Sequence, residues 1–121
     1  MGNYKKLNIW IKSLELVSLI YELMKKYPND EKFGLISQSK RAVISIPCNI
    51  AEGIGRNYKK DTIQFLHIAR GSLYELDTLI DIGLICRYIN EEQKVQLGFK
   101  MEECLKLLNG LISYYESGKL K

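Results

Sequence analysis

The chain is predicted to be all-α, an up-down-up-down antiparallel four-helix bundle, on three observations. Apolar residues recur at spacings of three and four along four separate stretches. No run alternates with period two, and no Asn-Gly turn joins two short apolar runs. The connections between stretches are short and polar, which sets consecutive helices side by side and antiparallel. With 121 residues, 46% hydrophobic, 26% charged and only 2 prolines, the chain has the make-up of one folded domain over 1–121 rather than of a disordered polymer. Helices are expected at about 8–27, 35–56, 60–86 and 91–117.

In the first helix Trp10, Leu14, Val17, Tyr21 and Met24 form one continuous apolar stripe. Leu16, Ile20, Leu23 and Tyr27 form a second stripe about a third of a turn away, leaving Glu15, Ser18, Glu22 and Lys25 as a narrow wet face. "YPNDEKFG" ends it, with Pro28 and Gly34 as punctuation. The third helix carries Phe65, Ala69, Ser72, Leu76 and Leu79 on one face. The fourth carries Leu97, Met101, Cys104, Leu108, Leu111 and Tyr115, and its start, "NEEQ", is a capping signal in which Asn90 caps and Gln93 reaches back. Helices one and four are apolar over more than the ~100° that a single core contact requires. A second buried face against another subunit is the expected use of that excess.

The second helix sets a polar line beside its apolar face of Ala42, Ile46, Ile50 and Gly53. Gln38, Arg41, Ser45, Asn49 and Glu52 follow one another at helical spacing, with Pro47 among them. Such a line is either a ligand pocket or a polar network that fixes the register of a bundle. The structural reading is preferred, since no nucleophile and base accompany it. Ser72 and Glu75 on the third helix are the expected partners, pairing Arg41 with Glu75 and Asn49 with Ser72, while Gly71 admits close backbone approach. Pro47 removes the amide that would serve the Val43 carbonyl and is expected to kink the helix.

Several chemistries are disfavoured. Cys48, Cys86 and Cys104 are odd in number and far apart, with no CxxC pair, and are read as buried free thiols rather than as a disulfide framework or zinc site. His67 is the sole histidine; it follows "QFL", so the Glu-x-x-His of a di-iron bundle is missing, and its helical neighbours read as solvated. No P-loop, HExxH or GxGxxG occurs. No apolar run approaches the ~18 residues of a membrane span. The opening "MGNYKKLNIWIKSLELV" lacks a continuous apolar core, and Lys6 stands where a myristoylation signal wants Ser or Thr. A non-enzymatic cytoplasmic protein without metal or cofactor is the expectation.

The net charge of +4 is unevenly placed, with +6 in residues 1–60 and −2 in 61–121. In an up-down-up-down bundle one end collects Lys5, Lys6, Lys12, Arg56, Lys59, Lys60, Lys119 and Lys121 against Glu15, Glu52, Asp61 and Glu116. The other end mixes both signs. Tyr58 within "GRNYKK" and Tyr4 beside Lys5 add stacking surfaces to the basic pole. Arg56, Tyr58, Lys59, Lys60, Lys5 and Lys6 are therefore the candidate nucleic-acid contacts.

With "QSKRAVISIPCNIAEG" and "IARGSLYEL" in view, together with "LNIWIKSLELVSLIYELMKKYP" and the short "RYIN", the chain resembles the bacterial four-helix-bundle family named for proteins encoded in 23S ribosomal-RNA intervening sequences. The resemblance covers nearly the whole chain. It departs where Cys86-Arg87 precedes Tyr88, a turn at which Gly is expected. It implies a left-handed bundle assembled as a ring, with a homopentamer favoured, and no enzymatic activity. Related bundles are accessory proteins to reverse transcriptases in diversity-generating retroelements, so the resemblance also implies RNA or another nucleic acid, or a protein partner. Gln38, Arg41, Asn49 and Glu52 are matching motif positions, and no ligand is implied for them.

Overall fold

The computed structural model describes residues 1–118. Four helices account for most of them: α1 (Asn8–Met24), α2 (Leu35–Ile54), α3 (Lys59–Ile85) and α4 (Glu91–Glu116). Single 3-10 turns at Asn3–Lys6 and Asn29–Glu31 precede α1 and α2, and no strand occurs among the described residues. The longest seam is between α2 and α3; α3 also lies on α4, and α1 lies on α2 and, more sparsely, on α4.

Each helix stops for an identifiable reason. α1 closes three residues short of the expected Tyr27, as Lys26 and Tyr27 donate to Leu23 and Met24 in tightened i−3 bonds before Pro28. α2 closes at Ile54 rather than at 56 because Gly55 caps it, donating to Ala51 and Gly53. α2 begins after Gly34 with the Glu31 carboxylate accepting from the Leu35 amide at 3.1 Å. The capping box of α4 is formed as expected, with Asn90 Oδ1 accepting from Gln93 N at 2.8 Å and Gln93 Oε1 from Asn90 N at 2.9 Å. At the end of α3, Tyr88 N donates to Gly83 O and Arg87 N to Leu84 O, the paired bonds of a Schellman turn. That turn requires a left-handed residue, and Arg87 fills it at φ 65°.

The core corrects the reading of α1. Its buried residues are Ile9, Ser13, Leu16, Ile20 and Met24, with Tyr27 beyond; Trp10, Val17 and Tyr21 are half-buried and Leu14 is exposed. The polar Ser13 hid this face from pattern reading, yet its hydroxyl is satisfied by the Trp10 carbonyl at 2.7 Å. Ala42, Ile46, Ile50 and Gly53 of α2 are all buried, and so is Pro47, through which α2 runs continuously. On α3 Ala69, Leu76 and Leu79 are buried while Phe65 and Ser72 are half-buried. On α4 Ile112 is buried where Leu111 is only partly so.

Close approach of α2 and α3 occurs at Gly53, not at Gly71. A Cβ on Gly53 would stand 2.9 Å from Phe65 Cβ and 3.1 Å from Thr62 O, whereas one on Gly71 would meet nothing within 4 Å. The thiols also differ from expectation, since only Cys104 is buried and Cys48 and Cys86 are exposed. They lie on outward faces of α2 and at the cap of α3.

The connections α1–α2 and α3–α4 meet. Tyr88 Oη donates to Glu31 Oε2 at 3.0 Å, and the Tyr27 and Tyr88 rings lie 5.2 Å apart. Tyr27 Oη is buried without a hydrogen-bond partner and fills the space a Cβ on Gly83 would need.

Candidate nucleic-acid interface

The α2–α3 turn is four residues, Gly55 to Tyr58, held rigidly from beneath. The buried Thr62 hydroxyl donates to Gly53 O at 2.7 Å, and the Asp61 and Thr62 amides both reach Tyr58 O at 3.1 Å. Arg56 lies with its guanidinium 4.7 Å from the Phe65 ring centroid and 3.9 Å from Glu52. Tyr58 is 71% exposed and caps α3 in extended conformation without using its side chain. Lys60 is exposed and forms no ion pair among the described residues; Lys59 is half-buried on the side of Gly118.

The remaining basic candidates divide. Lys5 and Lys6 are exposed on the 3-10 turn, which packs against both α1 and α2. Lys12 is committed to Glu15 at 3.6 Å and Glu103 at 4.0 Å. Tyr4 is half-buried with its ring edge-on to Trp10 at 5.3 Å, so it is a packing residue and not a free stacking platform. Lys119 and Lys121 lie outside the described residues. At the other end Lys25 pairs with Glu22 at 3.0 Å, Lys94 with Asp81 at 2.5 Å, and Lys32 lies over the Phe33 ring, while Lys26 and Arg87 are exposed and form no ion pair among the described residues.

Of the polar line, only its middle comes together. Ser45 Oγ and Ser72 Oγ are 2.8 Å apart, and Asn49 Nδ2 donates to both the carbonyl and the hydroxyl of Ser45 at 2.8 Å. Asn49 thus reaches Ser72 through Ser45 rather than directly. Gln38, Arg41 and Glu75 are exposed, and the expected Arg41–Glu75 ion pair is not formed; both ends are fully hydratable at the surface, where pairing gains little. Glu52 is also exposed and turns to Arg56 instead.

His67 belongs to a surface network between α3 and α4. Arg70 Nη2 lies 2.7 Å from His67 Nδ1, with the guanidinium, which has no acceptor, as the donor. Arg70 Nη1 donates to Asn109 at 2.9 Å, and Glu116 is 3.8 Å from His67 Nε2. Among the described residues no group of three His, Cys, Asp or Glu side chains could hold a metal ion. No helix of the described residues is long and apolar enough to cross a membrane.

Sequence reasoning missed two features. One is the Gly53–Thr62–Phe65 contact beneath the turn, which joins two different helices and so follows no single helical period. The other is an apolar groove of about 630 Å³ between α1 and α4, lined by Leu19, Leu23, Leu97 and Phe99 together with Lys26 and Lys100. The excess apolar width of helices one and four was its only signal.

Four helices with no strand among the described residues, joined by a serine–asparagine clasp between α2 and α3, define an all-α protein. The chain belongs to the family described as 23S rRNA-intervening sequence protein, which it matches over residues 5–110. It is also similar to a solved protein of unknown function from the S23 ribosomal protein family of Bacteroides thetaiotaomicron, with 30% sequence identity, a TM-score of 0.79, and coverage of 86% of this chain and 97% of that one. No curated protein matches significantly.

Proposed function

We propose that this chain is a non-enzymatic, oligomeric four-helix-bundle protein of the cytoplasm that binds RNA or another nucleic acid through the pole formed by the α2–α3 turn and the start of the chain. The observation that carries the reading is the contrast between the two ends. Lys5, Lys6 and Lys60 are exposed and form no ion pair among the described residues, and Tyr58 is exposed in the same turn as Arg56, whereas at the opposite end Lys25 and Lys94 are paired with Glu22 and Asp81, and Asp30, Glu31, Glu91 and Glu92 offset Lys26, Lys32 and Arg87. Phosphates would be met by the cations and a base by the ring.

The bundle is read as left-handed, antiparallel and up-down-up-down. Supporting this, the α1–α2 and α3–α4 connections share the Tyr88–Glu31 bond, and Glu116 late in α4 lies near His67 early in α3. Assembly as a ring, a homopentamer being favoured, is supported by the exposed Ile11, Leu14 and Leu19 of α1 and Val95 and Phe99 of α4. A ring multiplies the basic pole. The second reading is a protein scaffold or accessory subunit for a nucleic-acid enzyme such as a reverse transcriptase, favoured by the α1–α4 groove.

Fluorescence anisotropy of a labelled RNA, titrated at several salt concentrations, separates them. Nucleic-acid binding gives an affinity that falls steeply with salt, by roughly 0.7–0.9 in log–log slope per phosphate contact. No binding at low salt leaves the scaffold reading in its place. Light scattering on the same sample should give a multiple of the monomer mass; a stable monomer at micromolar concentration contradicts the ring.

A further inference from the structure

We infer that the nucleic acid this pole takes is single-stranded, with an unpaired base stacked on the Tyr58 ring; the inference rests on the nucleic-acid reading above and goes on to name the class of strand. Five aromatic side chains other than Tyr58 deserve comparison, because exposure alone does not make a stacking platform. Phe33 is the most exposed at 88%, but Lys32 already lies over its ring, and Asp30 and Glu31 precede it. Phe99, at 73%, borders the apolar α1–α4 groove. Tyr74 stands beside Glu75 and Asp77, where phosphate is repelled. Tyr114 is edge-on to Tyr115, and Tyr4 to Trp10.

Tyr58 alone combines an uncovered ring with cations on both sides. It is 71% exposed, and no other ring or cation lies against it among the described residues. Arg56 precedes it by two residues and Lys59 and Lys60 follow at once. The turn beneath is fixed by the Thr62–Gly53 bond, so the backbone that carries the ring loses little freedom when a base covers it.

The class of strand follows from what such a surface can reach. In a duplex the base faces are hidden within the stack, and readout goes through the grooves by an inserted helix or ribbon. A single tyrosine projecting from a four-residue turn offers neither. It meets the face of a base that is already unstacked, and neighbouring cations meet the adjoining phosphates. Recognition of this kind tolerates any base sequence, since every base has a face to offer.

The test uses three probes of equal charge count: a labelled single-stranded RNA of mixed sequence, a duplex of half that length, and inorganic polyphosphate. The parent protein should bind the single strand at least about tenfold more tightly than the duplex or polyphosphate. Tyr58→Ala should weaken single-strand binding by roughly 5- to 100-fold while leaving the salt slope, helicity and oligomer mass unchanged, because the lost group is uncharged and exposed. Tyr58→Phe should retain the parent affinity. Equal affinity for strand and duplex, or a Tyr58→Ala loss under twofold, overturns the inference while the nucleic-acid reading stands. Failure of the parent to bind any RNA at low salt overturns both.

Discussion

Arg87 occupies a position built for glycine. It stands at φ 65° in the Schellman turn that ends α3, and its side chain is exposed. An L-residue in the left-handed region costs about 1–2 kcal/mol, part of which glycine returns through the freedom of its unfolded chain. Arg87→Gly should therefore stabilise the protein by about 0.5–1 kcal/mol, measured as a higher urea midpoint with unchanged slope. Here the family resemblance was informative, since it called for Gly in the turn where Cys86-Arg87 precedes Tyr88. The thiols were not legible in the sequence, because a cysteine's burial depends on which helical face turns inward. Burial pushes the Cys104 thiol up from 9.0 to about 11, helped by Glu103 and Glu15. A thiol with a raised folded pKa stabilises fully below pH 9 and loses that contribution as pH climbs through 11. Stability should fall as pH rises from 9, and less steeply in Cys104→Ala. In the native state a thiol reagent should react quickly with Cys48 and Cys86 and slowly with Cys104.

Among the elements, helix existence and type were plain from the periodicity, and the ends missed by two or three residues where Pro28 and Gly55 acted earlier than the apolar pattern faded. The choice of face on α1 failed for a physical reason. When a helix is apolar nearly all round, hydrophobicity cannot say which stripe faces the core, and small Ser13 packs where pattern reading asks for a large residue. The polar line of α2 was half legible. Spacing put five polar groups on one face, but only position relative to α3 decided that Ser45 and Asn49 would be enclosed while Gln38, Arg41 and Glu52 stayed wet. The Ser45–Ser72 contact is what ties α2 to α3 on that side. Single Ser→Ala changes at either position should each destabilise, and a double-mutant cycle should return a coupling of about 0.5–1.5 kcal/mol. Additive losses would mean that the two hydroxyls act separately. By contrast, Arg41→Ala should change stability by less than about 0.5 kcal/mol, the exposed side chain having no partner to strand.

For the whole molecule, charge is the property that the sequence carries and only the fold organises. An excess of +6 in residues 1–60 has no address until the start of the chain and the α2–α3 turn are brought against the same helix, α2. What the linear sequence could not tell was which cations would remain available. Lys12 is drawn to Glu103 on α4, and Tyr4 folds onto Trp10, contacts between residues that no local pattern relates to function. The cations left at this pole are proposed to hold nucleic acid. The most direct measurement compares two triple charge reversals by the salt dependence of RNA affinity: Arg56→Glu, Lys59→Glu and Lys60→Glu together, against Lys25→Glu, Lys26→Glu and Lys32→Glu at the opposite end. The first set should weaken binding strongly and flatten the log–log salt slope, with oligomer mass and helicity unchanged, while the second should do little. Equal losses from the two sets would contradict the account, reducing the interaction to attraction by net charge wherever it lies.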